Sequence, residues 1–121
     1  MSAKILVIED EPLIRELLYE FLTGLGYNVV LAENGEKAIK LCADRQIKLA
    51  LVDFKLPDMD GLEVVNRLCQ QNPSLVNIIV TAYPTKKIQT QAQNKGIYAY
   101  LTKPFRLPEL QSLIEKALKE S

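Results

Sequence analysis

Residues 48–61 read KLALVDFKLPDMDG, and the rest of the chain is organised around them. Leu49-Ala50-Leu51-Val52 is a short apolar run with Lys48 before it and Asp53 after it. An unbroken apolar run of this length reads as a strand buried on both faces, the kind that builds parallel sheets. Pro57 then breaks the chain, and Asp60-Gly61 turns it. A carboxylate at the exit of such a strand lies at the carboxyl edge of its sheet, where open α/β folds form their ligand crevice. Taken alone, Asp53 reads equally well as a cap for the turn that follows. The ends of the other strands decide between the two readings.

Before this stretch, KILVI (Lys4 to Ile8) is a first strand, followed at once by Glu9-Asp10-Glu11. Pro12 opens a helix that runs to about Leu25, with Leu13, Ile14, Leu17, Leu18, Phe21, Leu22 and Leu25 on one face and Gly26 as its stop. A second strand, Tyr27 to Ala32, leads to Asn34, which can cap a helix reaching about Asp44 with Ala38, Ile39, Leu41 and Cys42 inward. After the central strand, Asp60 and Glu63 have the spacing of a capping box for a third helix carrying Leu62, Val65, Leu68 and Cys69, ended by Asn72-Pro73. The fourth strand, Asn77 to Val80, ends in Thr81. The segment KKIQTQAQNK then offers a fourth helix between Lys86 and Lys95, with only Ile88 and Ala92 to bury. A short fifth strand, Tyr98 to Thr102, ends in Lys103-Pro104. A last helix, Pro108 to about Lys119, buries Leu110, Leu113, Ile114, Ala117 and Leu118.

Five strands alternating with five helices predict a parallel sheet covered on both faces and wound by right-handed crossovers. Connections at one edge of such a sheet converge. Glu9 and Asp10, Asp53, Thr81 and Lys103 therefore share one crevice: an acid pair, an acid, a hydroxyl and an amine.

Composition narrows what this crevice can do. The chain has 121 residues, the length of one domain, with 48% hydrophobic and 25% charged residues, as expected of a soluble globular protein. Lys plus Arg and Asp plus Glu are 15 each, so no basic excess points to nucleic acid as a direct partner. Histidine is absent, which removes histidine triads, histidine general bases and most zinc sites. Cys42 and Cys69 have no ligand-like spacing and read as core thiols in a reducing cytoplasm. No signal peptide precedes Lys4, and no apolar run approaches the ~18 residues of a membrane span.

Carboxylates crowded together repel unless a cation joins them. Hard oxygen donors without His or Cys favour Mg²⁺, which binds through few carboxylates and readily adds a phosphate oxygen. A carboxylate is also a nucleophile for phosphoryl transfer, giving an aspartyl phosphate. That transfer needs positioning and charge neutralisation above all. A metal on one side and Lys103 on the other would supply both, with Thr81 donating a hydrogen bond to the new phosphoryl oxygen.

The acidic pair Glu9-Asp10, the stretch Asp53-x-x-Leu56-Pro57-x-Met59-Asp60-Gly61, Thr81-Ala82 and Tyr100-x-x-Lys103-Pro104-Phe105 occur in this order along nearly the whole chain. In these motifs the sequence resembles the receiver domain of two-component response regulators. The resemblance implies a single receiver domain over residues 1–121, with a flavodoxin-like fold of strand order 2-1-3-4-5 and helices on both faces. It implies that Asp53 accepts a phosphoryl group from a phosphohistidine on a histidine kinase or histidine phosphotransfer protein. Mg²⁺ would be held by Asp10 directly, by Glu9 through water, by Asp53, and by the main-chain carbonyl of Lys55. Lys103 would pair with the phosphoryl group, Thr81 would follow it, and Tyr100 would turn inward as the second switch residue. A cis bond before Pro104 would place the lysine. Receivers commonly present the fourth helix, fifth strand and fifth helix to a downstream protein or an output domain.

Departures from that family pattern raise further expectations. Lys55 and Tyr83 flank the acceptor at positions that vary among receivers, and both are expected at the rim, shielding the phosphoryl group from water. Arg106 stands where receivers usually carry an Asp that caps the last helix. An Arg cannot accept from the free amides, a loss of roughly 0.5–2 kcal/mol, and we expect it to read an acid on a partner. The glutamine-rich fourth helix is expected to be the mobile part of its face.

A switch that modifies itself and has no separate substrate is thus the leading reading. The alternative is a pseudo-receiver, a protein-binding scaffold without the chemistry. A haloacid-dehalogenase-like phosphatase would need a second acid where Lys55 stands, and a dinucleotide enzyme would need a GxGxxG after the first strand. The chain is expected to be a stand-alone regulator or the receiver of a longer transcription factor. The initial Met disfavours an internal receiver of a hybrid kinase.

Overall fold

The computed structural model describes residues 3–82, 86, 90 and 97–120. They form five strands, β1 (Lys4–Ile8), β2 (Asn28–Ala32), β3 (Ile47–Asp53), β4 (Val76–Thr81) and β5 (Ile97–Thr102), and four helices, α1 (Pro12–Gly24), α2 (Gly35–Leu41), α3 (Gly61–Gln71) and α4 (Leu107–Glu120). All pairings are parallel, in the order β2-β1-β3-β4-β5. The α/β fold and strand order expected from the sequence are those observed, with four helices among the described residues where five were expected. The fourth helix expected between Lys86 and Lys95 lies, apart from Lys86 and Thr90, outside the described residues, as does the prediction of its mobility.

Strand alternation divides the interior in two. Successive side chains of a strand point to opposite faces. Leu6, Ile8, Ala50, Val52 and Ile79 therefore pack with Ala38 and Cys42, at α2 and its C-cap, and with Val64, Val65 and Leu68 of α3. Their neighbours Ile5, Val7, Leu49, Leu51, Ile78 and Val80 pack with Leu18 and Leu22 of α1 and with Leu110, Ile114 and Ala117 of α4. β3 is buried from Leu49 to Asp53, the doubly covered strand its apolar run predicts.

Helix α1 departs from the expected seven-residue face. Leu18 and Leu22 are buried, whereas Leu13 is 80% and Leu17 50% exposed. At ~100° per residue, Leu17 lies about 100° and Leu13 about 140° around the helix from Leu18, beyond the stripe the sheet can cover. Gly26, with φ +97°, supplies the left-handed turn that stops this helix.

Local signals explain the other boundaries. Asn34 Oδ1 accepts from Lys37 N at 2.8 Å, and Asp60 Oδ1 accepts from Glu63 N at 2.9 Å, so both predicted caps form. α2 ends at Leu41 rather than near Asp44, because the next turn tightens: Ala43 N donates to Lys40 O and Asp44 N to Leu41 O. α4 begins at Leu107, with the carbonyl of exposed Arg106 accepting from Leu110 N at 3.1 Å.

Candidate functional site

The ladder carries on just beyond the carboxyl ends of the strands. Glu9 N donates to Ala32 O at 3.0 Å, Phe54 N to Val80 O at 2.9 Å, and Lys103 N to Thr81 O at 2.8 Å. These bonds bring the residue after β1, the last residue of β3, the last of β4 and the residue after β5 to one edge. The peptide bond between Lys103 and Pro104 is cis, as the family resemblance implied.

Glu9, Asp10 and Asp53 each place a carboxylate oxygen within 4.8 Å of the others. Lys103 Nζ donates to Glu9 Oε1 at 3.1 Å and lies 3.5 Å from Asp53 Oδ2. Glu9 Oε2 accepts from Glu11 N at 3.1 Å, and Asp53 Oδ1 from Lys55 N at 3.4 Å. Glu9, Asp53 and Thr81 are buried, and Asp10 is exposed. Burial pushes the Lys103 ammonium down, but Asp53 and then Glu9 more than reverse this, so its pKa is raised and its charge held. The group opens into a cleft of about 670 Å³ lined by both acids of the pair, Asp53, Lys55, Pro57, Thr81 and Lys103. Buried on its flanks, the Asp53 carboxylate still faces this opening.

Six sequence-predicted residues thus meet in one cleft: Glu9, Asp10, Asp53, Lys55, Thr81 and Lys103. Tyr100 is not among its lining. It is 37% exposed on the edge strand β5, and the inward turn expected of it as a switch residue concerns the phosphorylated form. Tyr83, expected at the rim, lies outside the described residues.

Two supporting residues escaped the sequence reading. Arg15 Nη1 donates to the carbonyl of Glu9 at 3.0 Å and to that of Asp10 at 3.4 Å, reaching back from the first turns of α1 to the acid pair. An arginine so soon after an acid pair, on the helix those acids introduce, was the available signal. Asp58 accepts from Gly35 N and Glu36 N, at 2.9 Å each. Burial pushes its carboxyl up, and the amides of Gly35, Glu36, Asp58 itself and Met59 outweigh that and leave it below its ordinary value. Nothing local in the sequence announces a contact between residues so far apart.

Chemically, the cleft combines a cluster of carboxylate oxygens that could hold a cation with a carboxylate that can act as a nucleophile and an ammonium fixed beside it. Known proteins are similar to the chain in sequence and in fold. The profile of the response regulator receiver domain matches residues 5–115. A cyclic di-GMP phosphodiesterase of Thermotoga maritima is 40% identical over 115 residues, 95% of this chain and 31% of the relative. A receiver domain protein (CheY-like) from Methanospirillum hungatei JF-1 has a crystal structure similar at TM-score 0.95, with 29% identity over 99% of this chain and 96% of that one. The receiver domain of a sensor histidine kinase from Pseudomonas aeruginosa PAO1, solved with a magnesium ion coordinated in its active site cleft, is similar at TM-score 0.86 and 26% identity, covering 98% of this chain and 99% of that one. The chain spans 31% and 26% of the length of two such curated relatives. With the family profile matched from the first strand into the last helix, the chain belongs to the response regulator receiver domain family.

Proposed function

We propose that the chain is a signalling switch phosphorylated on Asp53 with the help of Mg²⁺. The observation that carries this reading is the meeting of three carboxylates within 4.8 Å, one of them with a lysine ammonium 3.5 Å away, in an open cleft. The donor set fits a hard divalent ion: oxygen donors only, with a charge that disfavours the group in the cation's absence. Glu9, Asp10 and Asp53, with the main-chain carbonyl of Lys55, would hold Mg²⁺. Bound there, the ion supplies charge neutralisation for the arriving phosphoryl group, and the magnesium in the similar Pseudomonas aeruginosa receiver supports this choice.

Asp53 attacks the phosphorus of a phosphohistidine on a histidine kinase or histidine phosphotransfer protein. The new O–P bond forms as the P–N bond breaks, and the imidazole leaves with the electron pair. Lys103 faces the transferred group from the side of Glu9. Thr81 follows it with a hydrogen bond, and Tyr100 leaves its exposed position to turn inward. The donor docks on the uncovered leucines of α1. The face comprising the segment before β5, β5 itself and α4 then controls a downstream protein or an output domain. The chain acts in the cytoplasm, on no separate substrate and without binding nucleic acid or membrane itself. Lys55, exposed at the cleft, slows the approach of hydrolytic water, and Arg106 meets an acid on a partner.

The test is incubation with Mg²⁺ and acetyl phosphate, followed by borohydride trapping and mass mapping. Conversion of residue 53 to homoserine, the product of reducing its acyl phosphate, absent from Asp53→Asn and in EDTA, is the expected result. An unmodified wild type would sink the reading and leave the protein-binding scaffold in its place.

A further inference from the structure

The loop between Asp53 and α3 is fastened at its base. Gly61 N donates to Phe54 O at 2.6 Å, Lys55 and Asp60 form an antiparallel bridge, and Lys55 N reaches Asp53 Oδ1 at 3.4 Å. Those bonds leave the tip, Pro57 to Met59, to be held from elsewhere. It is held by α2. The two oxygens of Asp58 each take one amide of that helix's first turn: Oδ1 accepts from Gly35 N and Oδ2 from Glu36 N. Beside them Met59 lies so close that a Cβ built on Gly35 would come within 2.6 Å of Met59 Cγ and 2.8 Å of its Sδ. The third amide, that of Lys37, already has its own cap in Asn34. α2 is therefore capped from two directions, once by its own flank and once by the acceptor loop.

We propose that Asp58 is a positioning residue of the acceptor site: by bridging the loop tip to the first two amides of α2, it fixes the Lys55 carbonyl and the Asp53 carboxylate in the arrangement that receives a divalent cation. The inference rests on the metal-site reading above. It assigns Asp58 no contact with metal or phosphoryl group; the residue acts through a loop whose carbonyl lies three positions back along the chain. Groups that orient metal ligands typically change affinity about 10–100-fold when removed. The coupling also runs both ways, since what α2 does for the site, an occupied site must do for α2.

Asp58→Ala and Asn34→Ala each remove a cap from the same helix, but only the first touches the acceptor loop. Titration calorimetry with Mg²⁺ alone is read beside amide hydrogen exchange, with and without the ion. We expect Asp58→Ala to bind Mg²⁺ about tenfold more weakly or worse, with faster exchange at the amides of residues 55–60 even in the ion's absence. Asn34→Ala should keep wild-type affinity despite a comparable fall in melting temperature. In the wild type, Mg²⁺ should slow exchange at Gly35 and Glu36, and this response should vanish in Asp58→Ala. Asp58→Asn, which keeps the shape and one acceptor oxygen, should fall between, and it decides the matter should the alanine variant not fold. Equal Mg²⁺ affinity in the Asp58 and Asn34 variants, or an unaltered loop, overturns the role of Asp58 and leaves the metal site standing. A wild type that binds no Mg²⁺ overturns the metal site and this inference with it.

Discussion

Lys103 and Glu9, 94 positions apart in sequence, meet at 3.1 Å, closer than the 3.5 Å that separates Lys103 from Asp53. The ammonium is therefore shared between Glu9, which it approaches more closely, and Asp53, which also holds its charge. Lys103→Ala would leave the Glu9 carboxylate buried without its counter-charge, a loss of about 1–3 kcal/mol. We expect that loss in urea denaturation without Mg²⁺ and a smaller one at saturating Mg²⁺, when a second cation takes over. An identical loss in both conditions would contradict the sharing.

Asp10 is the exposed member of the acid group, so neutralising it exposes no new cavity and relieves repulsion. Asp10→Asn should leave metal-free stability unchanged or raised by up to about 1 kcal/mol. The same variant should lose the rise in melting temperature expected of the wild type in Mg²⁺, which would come from binding to the folded state alone. Thermal scans across a Mg²⁺ series measure both effects.

Two glycines grade the tightness of the acceptor loop. A Cβ at Gly35 would meet the flexible Met59 side chain and Val64 Cγ2 at 2.9 Å, whereas at Gly61 it would meet the Phe54 Cα at 2.8 Å and the Asp53 carbonyl at 3.1 Å. Backbone yields less readily than a thioether. Gly35→Ala should destabilise by about 1 kcal/mol and Gly61→Ala by about 3 kcal/mol. Adding Met59→Ala should recover part of the first loss and none of the second.

Acid should weaken the fold through two carboxylates outside the acid cluster. Asp44 is lowered by its 2.6 Å hydrogen bond from Lys4, helped by the amide of Gln46. Asp58 is lowered by the amides of α2 and of its own loop, against the upward push of burial. Each stays ionised in the folded chain where the unfolded chain would bind a proton, so stability rises with pH across that window. Their contribution is complete above the ordinary carboxylate value of about 4 and disappears as pH falls through the lower folded values. Urea midpoints followed downward from about pH 6 should drop below about pH 4, and the drop should be shallower in Asp44→Asn and in Asp58→Asn.

The uncovered leucines of α1 offer a test that would separate docking of the donor from the chemistry at Asp53. At 80% exposure, Leu13 contributes little to the core, and Leu13→Ser should change stability by less than about 0.5 kcal/mol. Combined with Leu17→Ser, it should slow transfer from a phosphohistidine protein while leaving modification by acetyl phosphate at the wild-type rate. Equal slowing with both donors would place the leucines in the chemistry instead.

Much of this architecture was legible because buried parallel strands are short apolar words with polar punctuation. Glu9, Asp53, Thr81 and Lys103 each follow or end such a run, and parallel strands leave the sheet at a common edge, so naming the strand ends was nearly naming the cleft. Asn34 and Asp60 were readable for a different reason: a cap acts within three residues of itself. What escaped was non-local or a matter of degree. The Asp58 bridge joins residues 23 and 22 positions apart. The width of the covered stripe on α1 depends on how much sheet lies beneath it, so Leu13 and Leu17 look no different in sequence from Leu18 and Leu22.

Among the described residues, β3 runs between two interiors that share no helix: Ala50 and Val52 belong to the one beneath α2 and α3, Leu49 and Leu51 to the one beneath α1 and α4. A change of state at the tip of that strand must be accommodated on both sides at once.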